Sequence, residues 1–184
     1  MCFFESKDHG ILIKGNIVPR INNLDEIPSP YTTGLMDEFF DGRLTPIIET
    51  SRGCPFSCNY CNNANGYFKK VAFFSSEHVE REINYIAQNA SKKGIRNLYI
   101  ADTNFGMYPR DKNIAIILKE MQKRYNWPLG INASTGKNNI KGVIKNLETL
   151  GNSIAISMSM QSMNLETLKI IKRDNINLNM YGKI

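Results

Sequence analysis

Ile47-Ile48-Glu49-Thr50-Ser51-Arg52-Gly53-Cys54-Pro55-Phe56-Ser57-Cys58-Asn59-Tyr60-Cys61 runs from a strand-like segment straight into a loop that holds three of the chain's four cysteines. The four residues from Ile47 to Thr50 read as a short strand. Downstream the pattern alternates. Val79, Ile83, Ile86, Ala87 and Ala90 form a helical stripe over residues 77–93, with Ser75 and Ser76 as caps and Gly94 as a stop. Leu98–Ala101 predicts a second strand. A second helix carries Ile114, Ile117, Leu118, Met121 and Tyr125 and stops at Trp127-Pro128. Leu129–Ala133 predicts a third strand, and Ile140, Val143, Ile144, Leu147 and Leu150 a third helix ending at Gly151. Ile154–Met158 predicts a fourth strand, and Leu165, Leu168 and Ile171 a fourth helix capped by Asn164. Four strand-then-helix units in a row predict an α/β fold on a parallel sheet. The short apolar strands suit burial on both faces.

Upstream of Pro46 the signals differ. The run Gly10–Val18 has β-like stretches on either side of Lys14-Gly15-Asn16, which suits a hairpin. Pro19, Pro28 and Pro30 favour extended linker. Gly34–Gly42 predicts one short helix, with Leu35, Met36, Phe39 and Phe40 on one side.

Composition narrows the class. The chain has 184 residues, 42% apolar and 22% charged, which excludes disorder and collagen-like repeats. No apolar run is long enough to span a bilayer. Met1-Cys2-Phe3-Phe4-Glu5 has no basic-then-apolar signal, so the expected location is cytoplasmic. The net charge of +6 is mild, and the basic residues fall in scattered pairs, so nucleic acid is not indicated as a partner.

Polar residues collect after each predicted strand: Thr50, Ser51 and Arg52; Asp102, Thr103 and Asn104; Ser134, Thr135 and Lys137; Ser159, Gln161 and Ser162. The carboxyl ends of parallel strands face one way, and ligands bind there. The cysteine loop follows the first strand on this face. Cys54, Cys58 and Cys61 lie within eight residues, while Cys2 is remote and reads as a free thiol. Without a secretory signal, such a cluster reads as a metal site rather than as disulfides. Thiolates suit iron–sulfur clusters or zinc. Three cysteines for four irons leave one iron open to a ligand, whereas an electron-transfer cluster takes four. A structural zinc site also wants four ligands, and only Cys2, His9 and His78 are available, all distant. The alternatives to an enzyme are a zinc-stabilised module that binds nucleic acid or a protein partner, and a cluster-binding fragment without activity.

The loop resembles the C-x3-C-x-aromatic-C signature of the radical S-adenosylmethionine (radical SAM) enzymes, with Tyr60 as the aromatic. The resemblance runs from about residue 46 to the end. It implies a [4Fe–4S] cluster held by Cys54, Cys58 and Cys61, with the SAM methionine on the open iron. An electron from the reduced cluster would then cleave SAM to methionine and a 5′-deoxyadenosyl radical that abstracts a substrate hydrogen. It implies an external reductant such as flavodoxin or ferredoxin. Ile27-Pro28-Ser29-Pro30-Tyr31 leading to Gly34, then Glu49–Phe56, is similar to the linker and first strand of the cobalamin-binding-domain subgroup. In that subgroup a cobalamin domain comes first. Cobalamin, and any methyl transfer that uses it, is expected of a missing upstream part.

The resemblance also marks cofactor contacts. Asp102 and Asn104 stand where the family often has Gly-Gly-Glu for the SAM amino group, and this sequence departs from that stretch. Both can accept from an ammonium, or can serve as a loop turn or helix cap. Ser134 and Lys137 follow the third strand. Lys137 can pair with the SAM carboxylate or be a solvated lysine. Gln161 is placed near the ribose. Arg173 is placed near the carboxylate, or is a solvent-facing helix end favoured by the dipole. The fold implied is a partial TIM-like (β/α)6 barrel. Residues 1–45 are read as linker and 46–184 as the N-terminal two-thirds of that barrel, with four of six strand–helix units present.

Overall fold

The structure is a computed structural model and describes residues 3–5, 12–14, 16, 18–64, 66–136, 139–157 and 159–175. Cys2, His9, Lys137 and Met158 lie outside the described residues. Strands β1 (Phe3–Glu5) and β2 (Leu12–Lys14) pair antiparallel, Phe4 opposite Ile13. Leu12–Lys14 thus has a partner upstream, while Gly15 and Ile17, on which the expected hairpin about Lys14-Gly15-Asn16 turns, lie outside the described residues.

The linker crosses the sheet edge and is pinned there by side chains. Ser29 Oγ donates to the buried Glu82 at 2.6 Å. The Tyr31 hydroxyl donates to Ile47 O and accepts from Ile47 N, each at 2.9 Å. It therefore satisfies the backbone of an edge strand that would otherwise present unpaired groups. Gly34–Gly42 is not a helix. Only Asp37–Phe39 winds into a 3-10 turn, and Leu35 is 71% exposed while Phe40 is buried. Too few of these apolar residues reach the core to hold a regular turn in place.

Beyond Pro46, strands β3 (Ile47–Ile48), β6 (Asn97–Phe105), β7 (Gly130–Thr135) and β8 (Ile154–Ser157) form a parallel sheet in that order, so sequential strands are neighbours. Ile48 faces Ile100, and Ile100 faces Ala133. Between β3 and β6 a separate antiparallel pair, β4 (Ser51–Arg52) and β5 (Ala72–Phe73), closes the base of the cysteine loop. Helices α1 (Ser76–Lys92), α2 (Asp111–Tyr125), α3 (Ile140–Leu150) and α4 (Leu165–Ile170) follow the four parallel strands. Ser75 caps α1 by accepting from His78 N, and Asn164 caps α4 by accepting from Thr167 N. Gly94, at φ +71°, takes the left-handed turn that ends α1.

The core lies between sheet and helices. Ile83, Ile86, Leu98, Ile100, Ile114 and Leu118 are each fully buried, and each such side chain contributes roughly 1.5–3 kcal/mol. The expectation of strands buried on both faces is corrected. In β6, Leu98, Ile100 and Asp102 are buried, whereas Asn97, Tyr99 and Ala101 are exposed. Ile47, Asn132 and Ala155 share the open face with Tyr99. The helices cover one side, and the other is the concave side of a TIM-like barrel portion.

Candidate functional site

The cysteine loop leaves the sheet at Thr50, and a buried carboxylate fixes that exit. Asp102 Oδ1 accepts from Thr50 N at 2.6 Å and Ser51 N at 3.2 Å. Its Oδ2 accepts from Thr50 Oγ1 at 2.5 Å and Ser51 Oγ at 2.7 Å. Burial raises its pKa, while these four donors pull the other way. Period-2 alternation puts Asp102 on the helix side of β6, with Leu98 and Ile100. Both oxygens are engaged, and the residue is 2% exposed. The geometry therefore corrects the expectation that Asp102 meets the ammonium of a bound cofactor. It is a clamp on the chain.

Two arginines finish the exit. Arg110 donates to Thr50 O at 3.0 Å and Phe74 O at 2.7 Å, and lies over the Phe73 ring. Arg20, from the linker, donates to Arg52 O at 2.8 Å, Tyr67 O at 2.9 Å and Lys70 O. Gly53 sits at φ +120°, where a Cβ would meet Phe68 O at 2.6 Å, so only glycine lets Cys54 N reach Phe68 O at 2.9 Å.

Cys54 is half-buried, Cys58 buried and Cys61 exposed. Asn104 Nδ2 donates to Cys54 Sγ at 3.4 Å, and Thr103 Oγ1 to Gly53 O at 2.8 Å. Arg173 Nη1 approaches Cys58 Sγ at 4.0 Å while Nη2 donates to Ser159 O at 2.7 Å. Arg173 is 8% exposed, so the alternative of a solvent-facing helix end is excluded. Tyr60 is half-exposed. Burial pushes its hydroxyl pKa up, with Arg173 opposing and Cys58 adding to the rise. Asn59 N donates to Ile171 O at 3.1 Å, and Asn59 Nδ2 to Ile170 O at 2.8 Å, tying the loop to the end of α4.

Of the expected site residues, Asn104 meets Cys54, and Arg173 and Tyr60 meet Cys58. Ser134 is half-buried in β7 opposite Ser157, and Gln161 is exposed after β8, on the same sheet edge. Lys137 lies outside the described residues. Arg20, Arg110 and Asn59 went unassigned from sequence, and Thr50 and Ser51 were placed on the ligand face without a role. Asn59 had a signal in its place inside the motif.

A second acid lies behind the loop. Asp111 is 1% exposed, and its Oδ2 accepts from Gly106 N at 2.8 Å and Tyr108 N at 3.0 Å. Burial first, and the charge of Asp102 after it, push its pKa up to about 6 from an ordinary 3.8. Between these values the folded chain keeps a proton that the unfolded chain has released, so stability falls as pH rises through the window, by about 3 kcal/mol. In Asp111→Asn this slope is expected to disappear, as read from urea midpoints at several pH values. Asp102 shifts in the same direction and is present in both proteins, so the difference between them reads the part of the slope that Asp111 carries, its interaction with Asp102 included.

The donor set fits an anionic, sulfur-rich group. Three thiols share one clamped loop, and N–H donors of Asn104 and Arg173 approach two of them. The Tyr108 hydroxyl is buried without a partner among the described residues, and burial with the charge of Cys54 pushes its pKa up to about 12, leaving it a donor. Among the described residues no three Cys, His, Asp or Glu side chains stand gathered as a metal site, so the three thiols share the loop without converging on one point. No helix among them is long and apolar enough to cross a membrane.

Comparison with known proteins agrees with this architecture. The carbapenam methyltransferase "2-(S-pantetheinyl)-carbapenam-3-carboxylate methyltransferase" of Streptantibioticus cattleyicolor is 31% identical over 181 residues, covering 94% of this chain and 26% of that protein. The cobalamin-dependent radical SAM methyltransferase TokK of Streptomyces tokunonensis is 30% identical over 181 residues, with the same coverage. The chain thus spans about a quarter of the length of these curated relatives. The solved structure of the cobalamin-dependent SAM radical enzyme OxsB with aqua-cobalamin superposes with a TM-score of 0.66 at 19% identity, over 92% of this chain and 25% of that one. The family model described as the radical SAM superfamily matches residues 48–180. A cysteine loop clamped at the carboxyl end of a four-stranded piece of TIM-like barrel, with that match across most of its length, makes this chain a member of the radical SAM superfamily of enzymes, similar to its cobalamin-dependent methyltransferases.

Proposed function

We propose that this chain is the cofactor-binding part of a radical SAM methyltransferase: Cys54, Cys58 and Cys61 hold a [4Fe–4S] cluster, and SAM takes the iron left open. The observation that carries the reading is the loop itself, three thiols on one excursion fixed by Asp102, Arg110 and Arg20, with Arg173 and Asn104 against two sulfurs. The cluster, when bound and reduced, supplies the electron that cleaves SAM. The chain's residues prepare that site. Arg173 places a cation at Cys58, and Asn104 an N–H at Cys54, donors suited to sulfurs that carry an anionic cluster. Tyr60 keeps its proton at neutral pH and interacts with Cys58. Ser134, Lys137 and Gln161, after the neighbouring strands, are assigned to the SAM polar groups, with Lys137 and Arg173 toward the carboxylate and Gln161 toward the ribose.

Cobalamin, where a longer polypeptide binds it outside the residues described here, would supply a carrier for the methyl group. The likeness to TokK and to OxsB supports this assignment. The test is anaerobic reconstitution of the full-length polypeptide with iron and sulfide, followed by SAM and a reductant. A brown protein that releases 5′-deoxyadenosine is expected. A colourless protein holding one zinc overturns the reading, and a brown protein that leaves SAM intact overturns its catalytic half.

A further inference from the structure

The ladder that closes the cysteine loop is very short. Only Ser51 with Phe73 and Arg52 with Ala72 are in register, yet residues 53–71 hang from them. A two-stranded ribbon of this length is not stable by itself in water. Closing a long loop on so small a base also carries an entropic cost. Something else must hold the two flanks.

We infer that Arg20 is a positioning residue for the cysteine loop, through which the linker sets the loop's shape. Its guanidinium reaches both flanks: Nη2 donates to Arg52 O on the outgoing side, and Nη1 to Tyr67 O and Lys70 O on the returning side. The same group lies 5.8 Å from the centroid of the Tyr67 ring. A Cβ on Gly53 would come within 3.2 Å of Nη2, so arginine and glycine are fitted to each other one residue before Cys54. Three carbonyls answered by one side chain call for a planar fork of donors. A lysine offers one compact ammonium, which cannot span the two flanks. These carbonyls lie 32 to 50 residues from Arg20 in sequence, so the clamp joins the proline-rich linker to the loop directly. The consequence for cofactor binding rests on the cluster reading above. The mechanical role does not.

The experiment is amide hydrogen exchange on the full-length polypeptide without cofactors, comparing wild type, Arg20→Ala and Arg20→Lys. In Arg20→Ala, the Cys54 amide and the amides of residues 72–74 are expected to exchange roughly tenfold faster, the scale of one or two lost charged hydrogen bonds. Exchange in β6 and β7 should stay as in wild type, and Arg20→Lys should recover only part of the protection. Unchanged exchange at Cys54 and residues 72–74 overturns the inference, as does a rise spread evenly through β6 and β7. If Arg20→Ala does not fold, Arg20→Lys is judged by the same criterion. Reconstitution then separates the two readings. A wild type that takes up no iron sinks the cluster assignment and leaves the exchange result standing. If wild type holds a cluster, faster loss in air from Arg20→Ala supports the positioning role, and equal lifetimes overturn its consequence for the cofactor.

Discussion

Replacing Cys58 with alanine is expected to abolish cofactor loading. Iron in reconstituted protein should fall from about four per chain to below one, with loss of the broad absorbance near about 400 nm that thiolate-bound clusters give. Cys58 is the buried member of the three, and it sits between Tyr60 and Arg173. Alanine removes the sulfur and also leaves the Arg173 cation without the group it faces. Neighbouring side chains offer no substitute, because the Tyr60 hydroxyl holds its proton. Cys2→Ala is the control and should retain full iron. Full iron in Cys58→Ala would remove this residue from the ligand set.

The second large effect is expected at Asp102. Asp102→Ala strips the acceptor from two backbone N–H groups and two hydroxyls at a site 2% exposed. Unsatisfied buried donors cost roughly 1–3 kcal/mol each, and hydroxyls that rotate to other partners recover part of that, so a net loss of about 4 kcal/mol is expected. Asp102→Asn keeps one oxygen for Thr50 N and Ser51 N. It turns the other position into a donor, which the two hydroxyls can accept. Its loss should stay under about 2 kcal/mol. Denaturant unfolding of both variants measures this. Equal and small losses would mean that the carboxylate does not hold the strand exit.

These residues show what could be read in advance. The helices were legible because their apolar positions recur at helical spacing and their caps, Ser75 and Asn164, are local signals that the structure contains. The cysteine loop was legible because its chemistry is packed into eight residues. The clamps were not. Asp102 looks like any acid after a strand, and only its pairing across some fifty residues with Thr50 and Ser51 turns it inward. Arg20 bonds to backbone carbonyls, which no side-chain pattern announces. Ser51–Arg52 reads as polar residues following the first strand, yet it is itself a strand that pairs with a segment on the far side of the loop. The one-sided burial of the sheet was hidden for another reason. Strands lining a concave site can place Tyr99, Asn132 and Ala155 opposite the core, a pattern that a short apolar run does not distinguish from burial on both sides.

The bond from Asn59 to the end of α4 bears on biogenesis. Its partners are 111 residues apart in sequence, so it cannot exist until nearly all of the chain described here has left the ribosome. Contacts of such separation form late in folding. The thiols therefore spend synthesis on a loop whose far side is still open, reachable by an iron–sulfur donor or by an oxidant alike. Docking of α4 against the loop is the event that shuts this window.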